Sequence, residues 1–85
     1  MPSPGTELGE LADPNRLVTV PDVEEMRFDS AHTALEQEGL RVITLFDDFE
    51  LGDPRIGRVV DQTPAAGQLA PYGSEMVIVV GREAP

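Results

Sequence analysis

Gly57-Arg58-Val59-Val60-Asp61-Gln62-Thr63-Pro64-Ala65-Ala66-Gly67-Gln68-Leu69-Ala70-Pro71-Tyr72-Gly73-Ser74 reads as a strand running into a punctuated connection. The apolar run Glu75-Met76-Val77-Ile78-Val79-Val80 follows it at once. Pro64 has no backbone N–H to give to a ladder, so it ends the first strand. Gly67 and Gly73 reach backbone angles closed to residues with a Cβ, which places them at bends. Two strands joined in this way form an antiparallel pair, and the rest of the chain has to cover one face of it.

Upstream, Phe28 to Glu38 carries a helical period. Phe28, Ala31 and Leu35 fall at i, i+3 and i+7 with Ala34 beside them, one narrow apolar stripe. Asp29 in the first turn complements the macrodipole. Gly39 fits the position just past the helix end in a Schellman stop, with Leu35 and Leu40 as the side chains that meet across it. Arg41-Val42-Ile43-Thr44-Leu45-Phe46 is rich in β-branched and aromatic residues and reads as a strand. Asp47-Asp48 and Gly52-Asp53-Pro54 mark a loop, and Ile56 to Gln62 is the next strand. In the last strand Met76, Ile78 and Val80 lie on one face and Val77 and Val79 on the other. Val18-Thr19-Val20, halted by Pro21, gives a short edge strand or extended lead-in with Val20 and Val23 turned inward.

The expectation is an α+β fold: a short first strand and one α-helix packed on a three-stranded antiparallel β-sheet, in the order β-α-β-β-β. Residues 1–17 contain Pro2, Pro4, Gly5, Gly9 and Pro14 with acids at Glu7, Glu10 and Asp13, and read as a flexible acidic linker. Residues 18–81 form a single domain, and 82–85 are expected to fray.

Sixteen acidic against six basic residues leave a net charge of −10. Such a field repels a phosphate backbone and an anionic membrane surface, so neither nucleic acid nor membrane insertion is expected. A nucleic-acid mimic capturing a basic protein is the sharper reading of that charge; a solubilising surface is the plainer one. Without cysteine there is no disulfide, zinc-thiolate or thiol chemistry. No apolar run approaches the roughly 20 residues that span a bilayer, and the N-terminus has no signal-peptide pattern. All six basic residues are arginine, which hints at a GC-rich, actinobacterial type of genome.

Several segments together resemble a known family. Val20-Pro21-Asp22-Val23, then Ala31, Leu35 and Gly39-Leu40, then Gly57-x-Val59-x-x-Gln62-x-Pro64-Ala65-Ala66-Gly67, then Gly73-Ser74-x-Met76 are similar in order and spacing to a PASTA domain. The resemblance covers about residues 18–81. Two positions depart from the pattern. Glu25 stands where the family often has glycine, and Arg27 where it often has a capping residue. An arginine accepts no hydrogen bond, so Asp29 or Ser30 has to help at the helix start, or the start shifts.

The resemblance implies extracytoplasmic work on the bacterial cell wall, by a domain that is not itself an enzyme and carries no cofactor. It implies recognition of peptidoglycan fragments or β-lactams, or a role as spacer or docking surface for other cell-wall or division proteins. One copy behind a proline- and glycine-containing lead-in points to the C-terminal module of a bifunctional penicillin-binding protein, ahead of a serine/threonine kinase. The isolated domain is expected to be a monomer.

Four residues are candidates for ligand binding: Arg58, Gln62, Thr63 and Tyr72 supply donors and a stacking face on the opening stretch. The plainer alternative is that Gln62 and Thr63 bond turn backbone and hold Pro64 in place. Aromatics make up only 5% of the chain, with no tryptophan, which tells against tight sugar stacking. His32 has no nucleophile in reach, since Ser30 at i−2 does not face it on a helix, so no catalytic residue is assigned. Asp47, Asp48, Glu50 and Asp53 fail the alternating spacing of a calcium loop and read as a solvated acidic run; no metal site is assigned.

Overall fold

The computed structural model describes residues 16–85. Six elements follow in order: β1 (Leu17–Thr19), α1 (Phe28–Gln37), β2 (Arg41–Phe49), β3 (Val59–Thr63), β4 (Leu69–Pro71) and β5 (Glu75–Glu83). Three strands form one sheet in the order β2-β5-β3, and β1 pairs with β4 in a second, two-stranded sheet. The class is α+β, with one helix and a three-stranded sheet, as expected.

The sheet itself is mixed, which corrects the expectation of a wholly antiparallel one. β3 and β5 are antiparallel, with Gln62 opposite Ile78 and Thr63 opposite Val77, as the opening stretch requires. β2 and β5 are parallel, from Arg41 opposite Glu75 to Phe49 opposite Glu83. The reason is topological. β2 and β3 run in opposite directions but do not touch, because β5 lies between them. β5 is therefore antiparallel to one neighbour and parallel to the other, and β3, to which the punctuated connection joins it, takes the antiparallel place.

Several boundaries also move. Asp47 and Asp48, expected in a loop, belong to β2 because β5 extends far enough to pair with them; Arg82 Nε donates to Asp48 Oδ1 at 2.7 Å. For the same reason Arg82 and Glu83, expected in a frayed tail, lie in β5, and the Ala84 N–H donates to the Phe49 carbonyl at 2.8 Å. Ile56 makes only an isolated bridge to Gly81, and β3 begins at Val59, next to an irregularity between Val59 and Asp61. The connection between the two later strands contains β4, a three-residue strand that the sequence reading did not find. The expected linker falls on residues of which 1–15 lie outside the described part; Leu17 belongs to β1.

The core is formed by Val20, Val23, Ala31, Leu35, Leu40, Val59, Ala70, Met76, Ile78 and Val80. Alternation along β5 is as expected: Met76, Ile78 and Val80 are buried, while Val77 and Val79 are half-exposed on the opposite face. Val20 and Val23 are each turned fully inward.

The helix ends are asymmetric. Arg27 at the N-cap makes no side-chain cap bond. The Phe28 N–H instead donates to the Gly57 carbonyl at 2.9 Å, and the Ser30 N–H to Asp29 Oδ1 at 3.0 Å. At the other end the Gly39 N–H donates to Glu36 O at 2.9 Å and the Leu40 N–H to Leu35 O at 3.1 Å. These two bonds are the Schellman pair, with Gly39 at φ 81°. A Cβ at Gly39 would also overlap the Tyr72 ring. Two costs therefore act against a side chain here, left-handed strain of about 1–2 kcal/mol and a steric clash. Gly39→Ala is expected to lower urea-unfolding stability by about 2–3 kcal/mol. Measured again in a Tyr72→Ala background, the loss should shrink but persist; an equal loss in both would show that the ring does not press on this position.

Candidate functional site

The sequence candidates arrive in different surroundings. Gln62 is buried at the end of β3. Its Oε1 accepts from the Val23 N–H at 2.8 Å, and its Nε2 donates to Pro21 O at 2.9 Å and Pro64 O at 3.3 Å. Both ends of the amide are thus spent inside the protein, tying β3 to the segment before α1. This matches the plainer reading of Gln62, with the addition of partners some forty positions away. Thr63 follows on the exposed side of β3, opposite Val77, and is joined to Pro64 by a cis peptide bond.

Tyr72 stands on the turn between β4 and β5. Its ring covers Gly39, and the Arg16 guanidinium lies 4.8 Å from the ring centroid. Its N–H donates to the Arg16 carbonyl at 2.7 Å. The ring remains 40% exposed, so one edge faces solvent while the other holds the helix stop.

Arg58 lines a shallow open groove of about 500 Å³ with Glu24, Glu25, Pro54, Arg55, Val59 and Val60. Its Nη1 donates to the Glu25 carbonyl at 3.0 Å. Glu25 has φ 69°, left-handed for a residue with a side chain, and sits where the family pattern often has glycine. The strain is held by its N–H bond to Val59 O and by Val59 N–H to Met26 O, at 2.8 and 2.9 Å. Of the four sequence candidates only Arg58 belongs to this groove. Glu24, Glu25, Pro54 and Arg55 went unrecognised as a group because 29 positions separate Glu25 from Pro54; the unusual Glu25 was the one signal available.

The acidic run is partly neutralised. Asp53 accepts from Arg55 Nε at 3.0 Å, Nη2 at 2.8 Å and the Arg55 N–H at 2.9 Å. The side-chain bond from Arg55, then the backbone bond, hold the Asp53 carboxyl at about 2, and the same pairing raises Arg55. The Arg55 guanidinium also stacks 4.0 Å from the Phe49 ring centroid. Among the described residues no three acidic or histidine side chains converge on a common point. His32 Nδ1 lies 3.2 Å from Glu36 Oε1, one turn along the helix, and its ring meets Phe28 edge-on at 5.9 Å. Among the described residues no helix is long and apolar enough to cross a membrane.

A helix against a three-stranded sheet, tied by a buried glutamine and stopped by a glycine under a tyrosine ring, is the framework on which these side chains stand. The family model for the PASTA domain matches residues 18–82, and the chain belongs to that family. PASTA is a non-catalytic module, so the domain itself is not an enzyme. The fold is similar to part of the structure of the extracellular region of the Ser/Thr kinase PrkC from Staphylococcus aureus, at 31% identity and a TM-score of 0.67 over 81% of this chain. It is also similar to the three-PASTA-domain of a Ser/Thr kinase from the same organism, at 30% identity and a TM-score of 0.64 over 79% of this chain. The match spans 24% and 32% of those two chains. No curated protein matches.

Two outcomes follow from the geometry. Gln62→Leu keeps the volume but leaves the Val23 N–H and the Pro21 carbonyl without partners, and is expected to cost about 2–5 kcal/mol in denaturant unfolding; a loss under about 1 kcal/mol would mean that water replaces the amide. Asp53 is depressed in the folded state, so its small contribution to stability is present above the unfolded carboxyl range and lost as pH falls toward about 2. Carbon-detected NMR titration should place Asp53 near that value and return it to the ordinary carboxylate range in Arg55→Gln. High salt should move it part of the way, since the pair is exposed.

Proposed function

We propose that this domain is an extracytoplasmic cell-wall module of a penicillin-binding protein or a receptor kinase, recognising peptidoglycan fragments or β-lactams. The observation that carries the reading is family membership over residues 18–82, together with likeness to the extracellular region of a bacterial kinase. On this chain the exposed positions open to such a ligand are Arg58 with its groove and, at the opposite end of β3, Thr63. An arginine beside a half-apolar hollow suits a carboxylate-bearing peptide, because the guanidinium fork pairs with carboxylate geometry. Tyr72 contributes its open ring edge at a separate place, and Gln62 holds the framework that sets Arg58 and Thr63.

A second reading is a spacer or protein-docking module with no small-molecule affinity. It is favoured by the commitment of Gln62 to the interior and of Tyr72 to the helix stop, which leaves few free polar groups for a sugar-peptide. Titrating a soluble muropeptide and, separately, a β-lactam into isotopically labelled domain distinguishes the two. Binding should move the amides of Glu25, Arg58 and Val60 as a cluster, and Arg58→Ala should remove the shifts. A spectrum unchanged at millimolar ligand leaves only the spacer reading.

A further inference from the structure

β2 is an edge strand of nine residues, and its outer side is open. The Arg41 N–H donates to Ser74 O and the Phe49 carbonyl accepts from the Ala84 N–H, so residues of odd number turn their backbone groups to β5. By the alternation of a ladder, Val42, Thr44, Phe46 and Asp48 turn theirs outward, and among the described residues nothing pairs with them. Natural edges are commonly blunted by proline, lysine, a bulge or a covering segment. Arg41-Val42-Ile43-Thr44-Leu45-Phe46-Asp47 has neither proline nor lysine, and its ladder to β5 runs without a register shift. Ile43, Leu45 and Phe46 are exposed on it, at 38, 52 and 52%.

We infer that the β2 edge pairs antiparallel with the β2 edge of a second copy of this chain, about a two-fold axis at Thr44. The pattern of the strand is self-complementary in that register. Thr44 faces Thr44, and Val42 faces Phe46, all with outward backbone groups, so each pair exchanges its N–H and carbonyl bonds. On the opposite face of the sheet Ile43 faces Leu45, and Arg41 faces Asp47. These last two are non-hydrogen-bonded pairs, in which side chains approach closely. The axis repeats the Arg41–Asp47 pair, so each interface carries it twice. Shifting the register by two residues in either direction opposes Arg41 to Leu45 or leaves it beyond the partner strand's acids.

Neither charge is bonded elsewhere among the described residues. No acceptor is paired with the Arg41 guanidinium. Asp47 lies within the field of Arg55, whose Nε and Nη2 are bonded to Asp53. Pairing would join two three-stranded sheets into one of six strands. It would continue the apolar strip of exposed Ile43 and Leu45 and half-exposed Val77 and Val79 across both copies. The net charge of −10 per copy opposes association, so the dimer is weak and forms at high protein concentration in moderate salt.

The test is sedimentation equilibrium of the full chain over a wide concentration range, with a charge-swap cycle. Arg41→Asp and Asp47→Arg alone should each weaken association by about tenfold, because each places like charges opposite one another twice. The double swap should restore it, since the pairs are re-formed with signs exchanged. Hydrogen exchange on the unaltered chain gives an independent reading: the N–H groups of Val42, Thr44 and Phe46 should gain protection as concentration rises. A chain that stays monomeric, single swaps that associate as the parent does, or edge protection independent of concentration would each overturn the assignment. The last of these would place a segment of the same chain on the edge.

Discussion

The buried amide of Gln62 is the contact on which the arrangement turns. It answers three backbone groups at once, the Val23 N–H and the carbonyls of Pro21 and Pro64. Pro21 and Pro64 have no N–H to continue a ladder where the segment before α1 passes β3, and their own carbonyls are answered by the Gln62 side chain. A long side chain with an acceptor and two donors is the economical substitute, and it holds the lead-in to the helix against the sheet. Gln62 is the one buried polar residue among the described residues, and a polar network of that kind is stabilising only when fully satisfied.

A second constraint closes the opposite end of the helix. Gly39 stops α1 with the Schellman pair, lets the Tyr72 ring lie against its backbone, and accepts from the Gly73 N–H at 2.8 Å. The turn between β4 and β5 is thereby docked on the helix end, and Arg41 enters β2 directly beside Ser74. From that point β2 and β5 must run side by side in the same direction. The parallel pairing thus follows from where the helix stops.

The face that remains for recognition is small, and its chemistry is local. The Arg58 guanidinium donates to the Glu25 carbonyl, and Glu25 keeps a left-handed backbone that glycine would adopt without strain. A residue with a carboxylate at such a position puts charge at the rim of the groove at the expense of about 1–2 kcal/mol of backbone strain. Most of the acidic surface lies elsewhere and is partly answered by Arg55 and Arg82. The net charge therefore describes the chain's solubility and its mutual repulsion better than it describes any one site.

By itself the sequence determined the elements whose cause is local. The helix and its glycine stop, the alternation of Met76, Ile78 and Val80, the turn at Pro64 to Gly67 and the antiparallel β3–β5 pair are all written in neighbouring residues. The order and spacing of those residues also carried the family resemblance. What the tertiary structure decided depended on residues far apart in the chain. β5 lies between β2 and β3, so the sheet is mixed. Asp47, Asp48, Arg82 and Glu83 are strand because two long strands extend each other, although their composition reads as loop and tail. β4 is a three-residue strand that exists only as the partner of β1, the short first strand expected from the sequence. The groove at Arg58 combines Glu24 and Glu25 with Pro54 and Arg55 from a later loop. Local pattern reveals what one segment prefers; which segments meet is set by the shared core, and no single segment contains that information.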